Sequence, residues 1–186
     1  KPANLILAKS PRRLVMIDFG SAWTTEKTCG REPGDGLSAP YAAPEQLDDR
    51  RAADFRSDQF SASVVAYRML TGELPYGGMG GKAGLPQFRA AYEPRYQRPS
   101  QRCPYRGRVP KRIWSIIDEI LATGLALDAD RRFQSSPLWL DALEDLYCEM
   151  RRKVRFGFWD SLLIRFFERL GRRRESEEDQ GESLGR

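Results

Sequence analysis

Asn4 and Asp18 carry the side chains that a hard divalent cation prefers. A carboxylate and an amide carbonyl are oxygen ligands, and magnesium is commonly held by one or two protein carboxylates while water and phosphate complete its octahedron. The two residues can serve one ion only if the chain between them doubles back. Its residues favour that: the short apolar segments 4–7 and 14–17 are separated by Ala8-Lys9-Ser10-Pro11-Arg12-Arg13, a turn-forming run, which predicts two strands joined by a turn. Such a hairpin sets Asn4 and Asp18 side by side at its open end.

The elements that must support this hairpin are helical. Residues 24–40 are polar and rich in glycine and proline, a composition that predicts a long functional loop. From 57 to 70 apolar residues recur at helical spacing, and Thr71-Gly72 ahead of Pro75 supplies a stop, so this segment is the expected central buried helix. The stretch 77–110 is rich in glycine, proline and arginine, with a short helix predicted near 85–92. Pro110 then opens a helix whose Ile113, Trp114, Ile116, Ile117, Ile120 and Leu121 form one stripe, and 138–146 repeats the pattern.

A chain of 186 residues with 40% hydrophobic content can bury one substantial core and leave extensions outside it. It contains no run of about 18 apolar residues and opens on no signal-peptide pattern, so a cytoplasmic setting is expected. Cys29, Cys103 and Cys148 are odd in number, widely spaced and unaccompanied by histidine, which argues against a disulfide framework or a structural zinc site. The net charge is +5, but acidic residues alternate with the arginines through most of the chain, which argues against a nucleic-acid binder. Positive charge gathers at 89–112 and 151–174, the first hinting at acidic substrates. Residues 155–174 read as a basic amphipathic helix that lies on the inner face of a membrane, docks on a partner, or packs back on the preceding domain. Residues 175–186 are acidic and polar, and are expected to be disordered.

Four short motifs follow one another: Lys1-Pro2-Ala3-Asn4, Asp18-Phe19-Gly20, Ala43-Pro44-Glu45 and Asp58. Each tripeptide alone is an ordinary turn or loop, but their order and spacing resemble the large helical lobe of a eukaryotic-type (Hanks-type) serine/threonine protein kinase, of bacterial type. The resemblance covers residues 1–150. It implies a mainly α fold, a protein-kinase-like C-terminal lobe with a short β-hairpin at its start and the N-terminal lobe absent. In that family the catalytic loop reads His-Arg-Asp-Leu-x-x-x-Asn, which would put the catalytic Asp two residues before Lys1. The glycine-rich loop, the strand lysine and its helix glutamate would also lie upstream. The chain by itself is therefore expected to be inactive, as part of a kinase that moves the gamma-phosphate of ATP to protein hydroxyls.

The resemblance also implies roles by position. Asn4 and Asp18 would hold Mg2+, and Lys1 would steady the gamma-phosphate of ATP, as in the serine/threonine branch. Phe19 and Gly20 would complete the metal-binding turn, and Ser38 would belong to the loop that receives the protein substrate. Glu45 would pair with Arg132 in Asp128-Ala129-Asp130-Arg131-Arg132-Phe133, and Asp58 would support the catalytic-loop backbone, although an Asp near a helix N-terminus is equally explained by capping. The chain departs from the family pattern at Leu37 and Ser63, where glycine is usual, and at Ala129, where proline is common. Thr24, Thr25, Thr28 and Ser38 are candidate phosphorylation sites in the loop. The alternative is a pseudokinase or isolated-lobe module that binds partners without transferring phosphate.

Overall fold

A computed structural model describes residues 1–9, 12–19, 37–48 and 53–153. The readings made for Thr24, Thr25, Thr28, Gly20, the amphipathic segment 155–174 and the tail 175–186 lie outside the described residues. The chain divides into two units, Lys1–Leu146 and Tyr147–Arg186.

Strands β1 (Leu5–Lys9) and β2 (Arg12–Met16) pair antiparallel, with Leu5 opposite Met16, Ile6 opposite Val15 and Leu7 opposite Leu14. Paired residues share a face, so Leu5, Met16, Leu7 and Leu14 lie on one side and Ile6 and Val15 on the other. Both sides carry exposed apolar chains: Ile6, Leu14 and Met16 are about half or more accessible.

Helices α1 (Phe55–Thr71), α2 (Pro86–Tyr92), α3 (Pro99–Arg102), α4 (Lys111–Gly124) and α5 (Ser136–Lys153) make up the remaining regular structure. Asp54 caps α1 by accepting from the Arg56 amide at 2.8 Å, and Gly72, at φ 81°, ends it in the left-handed conformation. The core lies where α1 meets α4. Phe60, Val64 and Tyr67 of α1 and Ile113, Ile117, Ile120 and Leu121 of α4 are all buried, and the two helices are in contact. Removing each such side chain from water stabilises the fold by about 1.5–3 kcal/mol. α3 packs on both helices, and Ser100 ties it to α4 through the buried Asp118, whose carboxylate accepts from the Ser100 amide at 3.0 Å and its hydroxyl at 2.5 Å. The Tyr76 hydroxyl donates to the Leu125 carbonyl at 2.6 Å and closes the far end of α4.

The stripe expected over 138–146 is only partly inward. Trp139, Leu143 and Leu146, spaced i, i+4 and i+7, are half-buried, whereas Leu138 and Leu140 are more than half exposed. At 100° per residue those two fall on either side of the inward face.

Ser63, which stands where the resembling family usually has glycine, is buried on α1 against Gly124 of α4. A β-carbon on Gly124 would lie 3.2 Å from the Ser63 β-carbon and well inside contact with its hydroxyl oxygen. The missing side chain of Gly124 is what lets the two helices approach this closely at Ser63. Gly124→Ala is expected to lower stability by about 1–3 kcal/mol through overpacking, measured by urea unfolding. Ser63→Gly in the same chain should restore part of the loss, and no recovery would mean that the two positions are not coupled.

Candidate active site

The open end of the hairpin brings Asn4 and Asp18 together. A short turn at Pro2–Asn4 returns the Asn4 amide to the Lys1 carbonyl at 3.0 Å, and the Ile17 amide donates to the Asn4 carbonyl at 2.9 Å, extending the ladder one step past Leu5 and Met16. Directly beyond that step, the Asn4 side-chain Nδ2 donates to Asp18 Oδ2 at 3.4 Å. Asp18 has φ 63°, a left-handed conformation that Asp tolerates better than most residues, and this turns the chain out of the strand direction just after β2. Lys1 and Asp18 are exposed, and the Phe19 ring is 66% accessible, so among the described residues it is not part of the core.

A second cluster lies at the other end of the loop. Ser38 accepts from the Tyr41 and Ala42 amides through its carbonyl, at 2.8 and 3.0 Å, which curls the chain into the buried run Ala42–Ala43–Pro44–Glu45. The Gln46 side chain accepts from the Ala43 amide at 2.9 Å. Arg68 of α1 donates to the Tyr41 hydroxyl and sits over its ring. From the other side the turn Gly80–Gly84 approaches so closely that a β-carbon on Gly81 would collide with the Ala42 carbonyl.

Glu45 and Arg132 form the centre of this cluster. Arg132 donates through both terminal nitrogens to the two carboxylate oxygens of Glu45, at 2.6 and 3.0 Å. The guanidinium is fully buried and the carboxylate nearly so. Arg132 also donates to the carbonyls of Ala126 at 2.8 Å and Arg56 at 2.9 Å, and it stacks 4.8 Å from the Phe60 ring centre. The Ser57 hydroxyl donates to Glu45 at 2.7 Å. Burial alone would raise the Glu45 carboxyl, but the hydrogen bond and charge of Arg132, with Ser57, outweigh it and hold the group below its ordinary value.

Asp58 stands in the first turn of α1 and is not drawn into either cluster; among the described residues its carboxylate has no hydrogen-bond partner. The N-cap of α1 is Asp54 instead. Its side chain is accessible, yet the surrounding protein removes enough water to push its carboxyl above the usual range.

Several partners carry no motif. Gln59, fully buried on α1, exchanges two hydrogen bonds with the backbone of Phe133, at 3.1 and 3.3 Å. Arg56 joins Asp54 to Asp130 and Gln134, and Arg89 of α2 bridges Asp128 and Glu93. Their one sequence signal is a set of polar residues, Ser57, Gln59 and Ser63, on the side of α1 that also carries its apolar stripe.

Residues 1–136 fit the family model described as the protein kinase domain, and the chain belongs to that family. Its lobe is mainly helical with a short antiparallel hairpin at its start. Among curated proteins it is similar to serine/threonine-protein kinase PknJ of Mycobacterium tuberculosis, 32% identical over 140 residues covering 73% of this chain and 22% of PknJ. It is also similar to serine/threonine-protein kinase PknF of the same organism, 37% identical over 81 residues, covering 41% and 17%. The chain thus spans about a fifth of the length of the curated relatives it matches. Among solved structures, the kinase domain of M. tuberculosis PknI aligns with a TM-score of 0.47 and 24% identity, covering 78% of this chain and 44% of that one.

Arg132→Ala, which strands the Glu45 carboxylate in the core, is expected to cost about 3–5 kcal/mol in urea unfolding. Replacing both members by apolar residues, Glu45→Leu with Arg132→Met, should recover much of that loss; a double variant as unstable as the single would refute the ion-pair account. The pair also sets an acid dependence. Because the folded Glu45 carboxyl is held down, its contribution is complete above the unfolded value and is lost as pH falls through the folded one. The melting temperature should therefore fall below about pH 4.5, and Glu45→Gln should flatten the profile in that window.

Proposed function

We propose that the chain is part of a serine/threonine protein kinase that transfers the gamma-phosphate of ATP to protein hydroxyls, and that Asn4 and Asp18 are its cation-binding pair. The observation that carries this reading is the approach of Asn4 to Asp18 across the end of a paired hairpin. With Nδ2 turned to Asp18, the Asn4 amide oxygen is left to face a ligand, and the exposed Asp18 carboxylate keeps lone pairs for one. Among the described residues no group of three or more His, Cys, Asp or Glu side chains gathers as a metal cage. A two-residue oxygen site of this kind suits magnesium, which takes its other ligands from phosphate and water.

When bound with ATP, magnesium would neutralise charge on the phosphate oxygens, the main electrostatic demand of phosphoryl transfer. The chain's own residues would then have positioning roles. Lys1, at the start of the turn that ends in Asn4, would offer a mobile ammonium to the gamma-phosphate. The anchored run from Ser38 to Glu45 would present a rigid edge to the acceptor hydroxyl, since Arg68, Gly81 and Arg132 hold it from three directions. The base that orients the acceptor hydroxyl would come from the parent protein outside this chain. The exposed apolar residues on both faces of the hairpin support this, because such surface normally packs against further protein.

The chain alone is expected to transfer no phosphate from radiolabelled ATP to a generic protein acceptor. In the intact parent protein, Asp18→Asn should lower kcat by about 100-fold or more with little change in acceptor KM, and Asn4→Ala should act in the same direction. Unchanged kcat in Asp18→Asn would remove the metal-site reading. An intact parent that transfers nothing would favour the partner-binding pseudokinase.

A further inference from the structure

The strip of chain around α3 and the start of α4 is charged beyond what its own packing uses. From 94 to 117 every charged residue is basic, with no Asp or Glu. Hydrogen bonds bind this strip to one side of α4: Ser100 to Asp118, and the Trp114 indole N–H to the Arg106 carbonyl at 2.9 Å. Lys111 and Asp118 are seven residues apart, two turns along the same side of α4. Arg98 thus stands two residues from the Ser100 tie, Arg106 at the Trp114 tie and Lys111 one turn before Trp114, all three exposed.

Some of its cations have partners. Arg102 is paired with Glu73 at 2.6 Å, Arg95 lies 4.6 Å over the Tyr92 ring, and Arg108 lies over Tyr105. Arg98, Arg106 and Lys111 have no carboxylate partner among the described residues. The helix dipole does not account for Lys111 either. α4 has Pro110 as its N-cap, with no side-chain cap and no acid in its first turn, and it sets Lys111 against the positive end of the helix dipole, where a cation is destabilising.

We propose that this surface, centred on Arg98, Arg106 and Lys111, docks an acidic segment of a partner polypeptide. Charge complementarity selects an anion, and the surroundings select its kind. A membrane surface would need apolar side chains to insert, and none of the exposed large hydrophobic residues of the described chain falls within 94–117. A single-stranded nucleic acid would need open aromatic faces for stacking, but Tyr92 and Tyr105 are covered by their own arginines and Tyr96 packs on Tyr67 and Tyr76. Carboxylates on a flexible peptide need neither. The inference rests on the kinase reading only in naming that segment as part of a phosphoryl-accepting protein; binding itself is read without phosphate transfer, so the two fail separately.

The test is fluorescence anisotropy of the 186-residue chain with a short labelled poly-glutamate peptide, a poly-glutamine peptide of equal length, duplex DNA and phosphatidylserine vesicles. The glutamate peptide should bind at low salt and the glutamine peptide should not. Arg98→Gln, Arg106→Gln and Lys111→Gln together should weaken it about tenfold, since each exposed charge contact is individually modest. The basic residues of 155–174 remain in that variant, so the loss reports the 98–111 surface alone. The thermal melt should be unchanged, and Arg106→Glu serves as a second, single-site variant should the triple one melt early. Peptide binding unaltered by both variants overturns the proposal. So does duplex DNA or vesicle binding that is tighter than peptide binding and lost in the same variants.

Discussion

Everything between the Ala-Pro-Glu run and the far end of the lobe depends on one buried ion pair. A carboxylate and a guanidinium leave water only if the other's charge and a full set of hydrogen bonds replace the lost hydration. Arg132 meets this demand with donors to both oxygens of Glu45 and to the carbonyls of Ala126 and Arg56. Ser57 takes a further site on Glu45. These partners come from the end of the loop, the start of α1, and the segment between α4 and α5. A shift of Glu45 or Arg132 would strand a charge, and a shift of any other partner would break a hydrogen bond to one, so three parts of the chain distant in sequence are held in one geometry.

The segment 38–45 inherits its rigidity from that constraint. One end is fixed by Glu45, the middle by Arg68 on Tyr41, and the back by glycines at 80 and 81 that leave room for its carbonyls. The hairpin contrasts with it. Its geometry is set locally, by strand register and the left-handed Asp18, and its apolar faces remain open. A lobe with one clamped edge and one uncovered edge is consistent with a chain that covers about a fifth of its curated relatives.

Local elements were largely legible from residue order. The hairpin, the stop at Gly72, the short helix near 85–92 and the helix after Pro110 all stand where periodicity and turn residues put them. The 138–146 stripe is narrower than its apolar content predicts, because residues one step to either side of Trp139 turn away from the inward face, and Leu138 and Leu140 are exposed there. Phe19 and Asp58 show a different limit. An aromatic after a strand and an Asp in a first helical turn have several ordinary uses, and here the ring is exposed and the cap belongs to Asp54.

Sequence by itself determined the features that depend on near neighbours: strand alternation, helix stops, the basic strip without acids, and the order of motifs that marks the family. Tertiary structure alone decided which groups distant in sequence meet. Gln59 with Phe133, Gly124 with Ser63, and Arg106 with Trp114 are pairings that no local pattern announces. The physical reason is that short-range preferences act through a residue's own backbone and its neighbours within a turn. The desolvation that forces buried polar groups to find partners is felt only once the chain has closed around them.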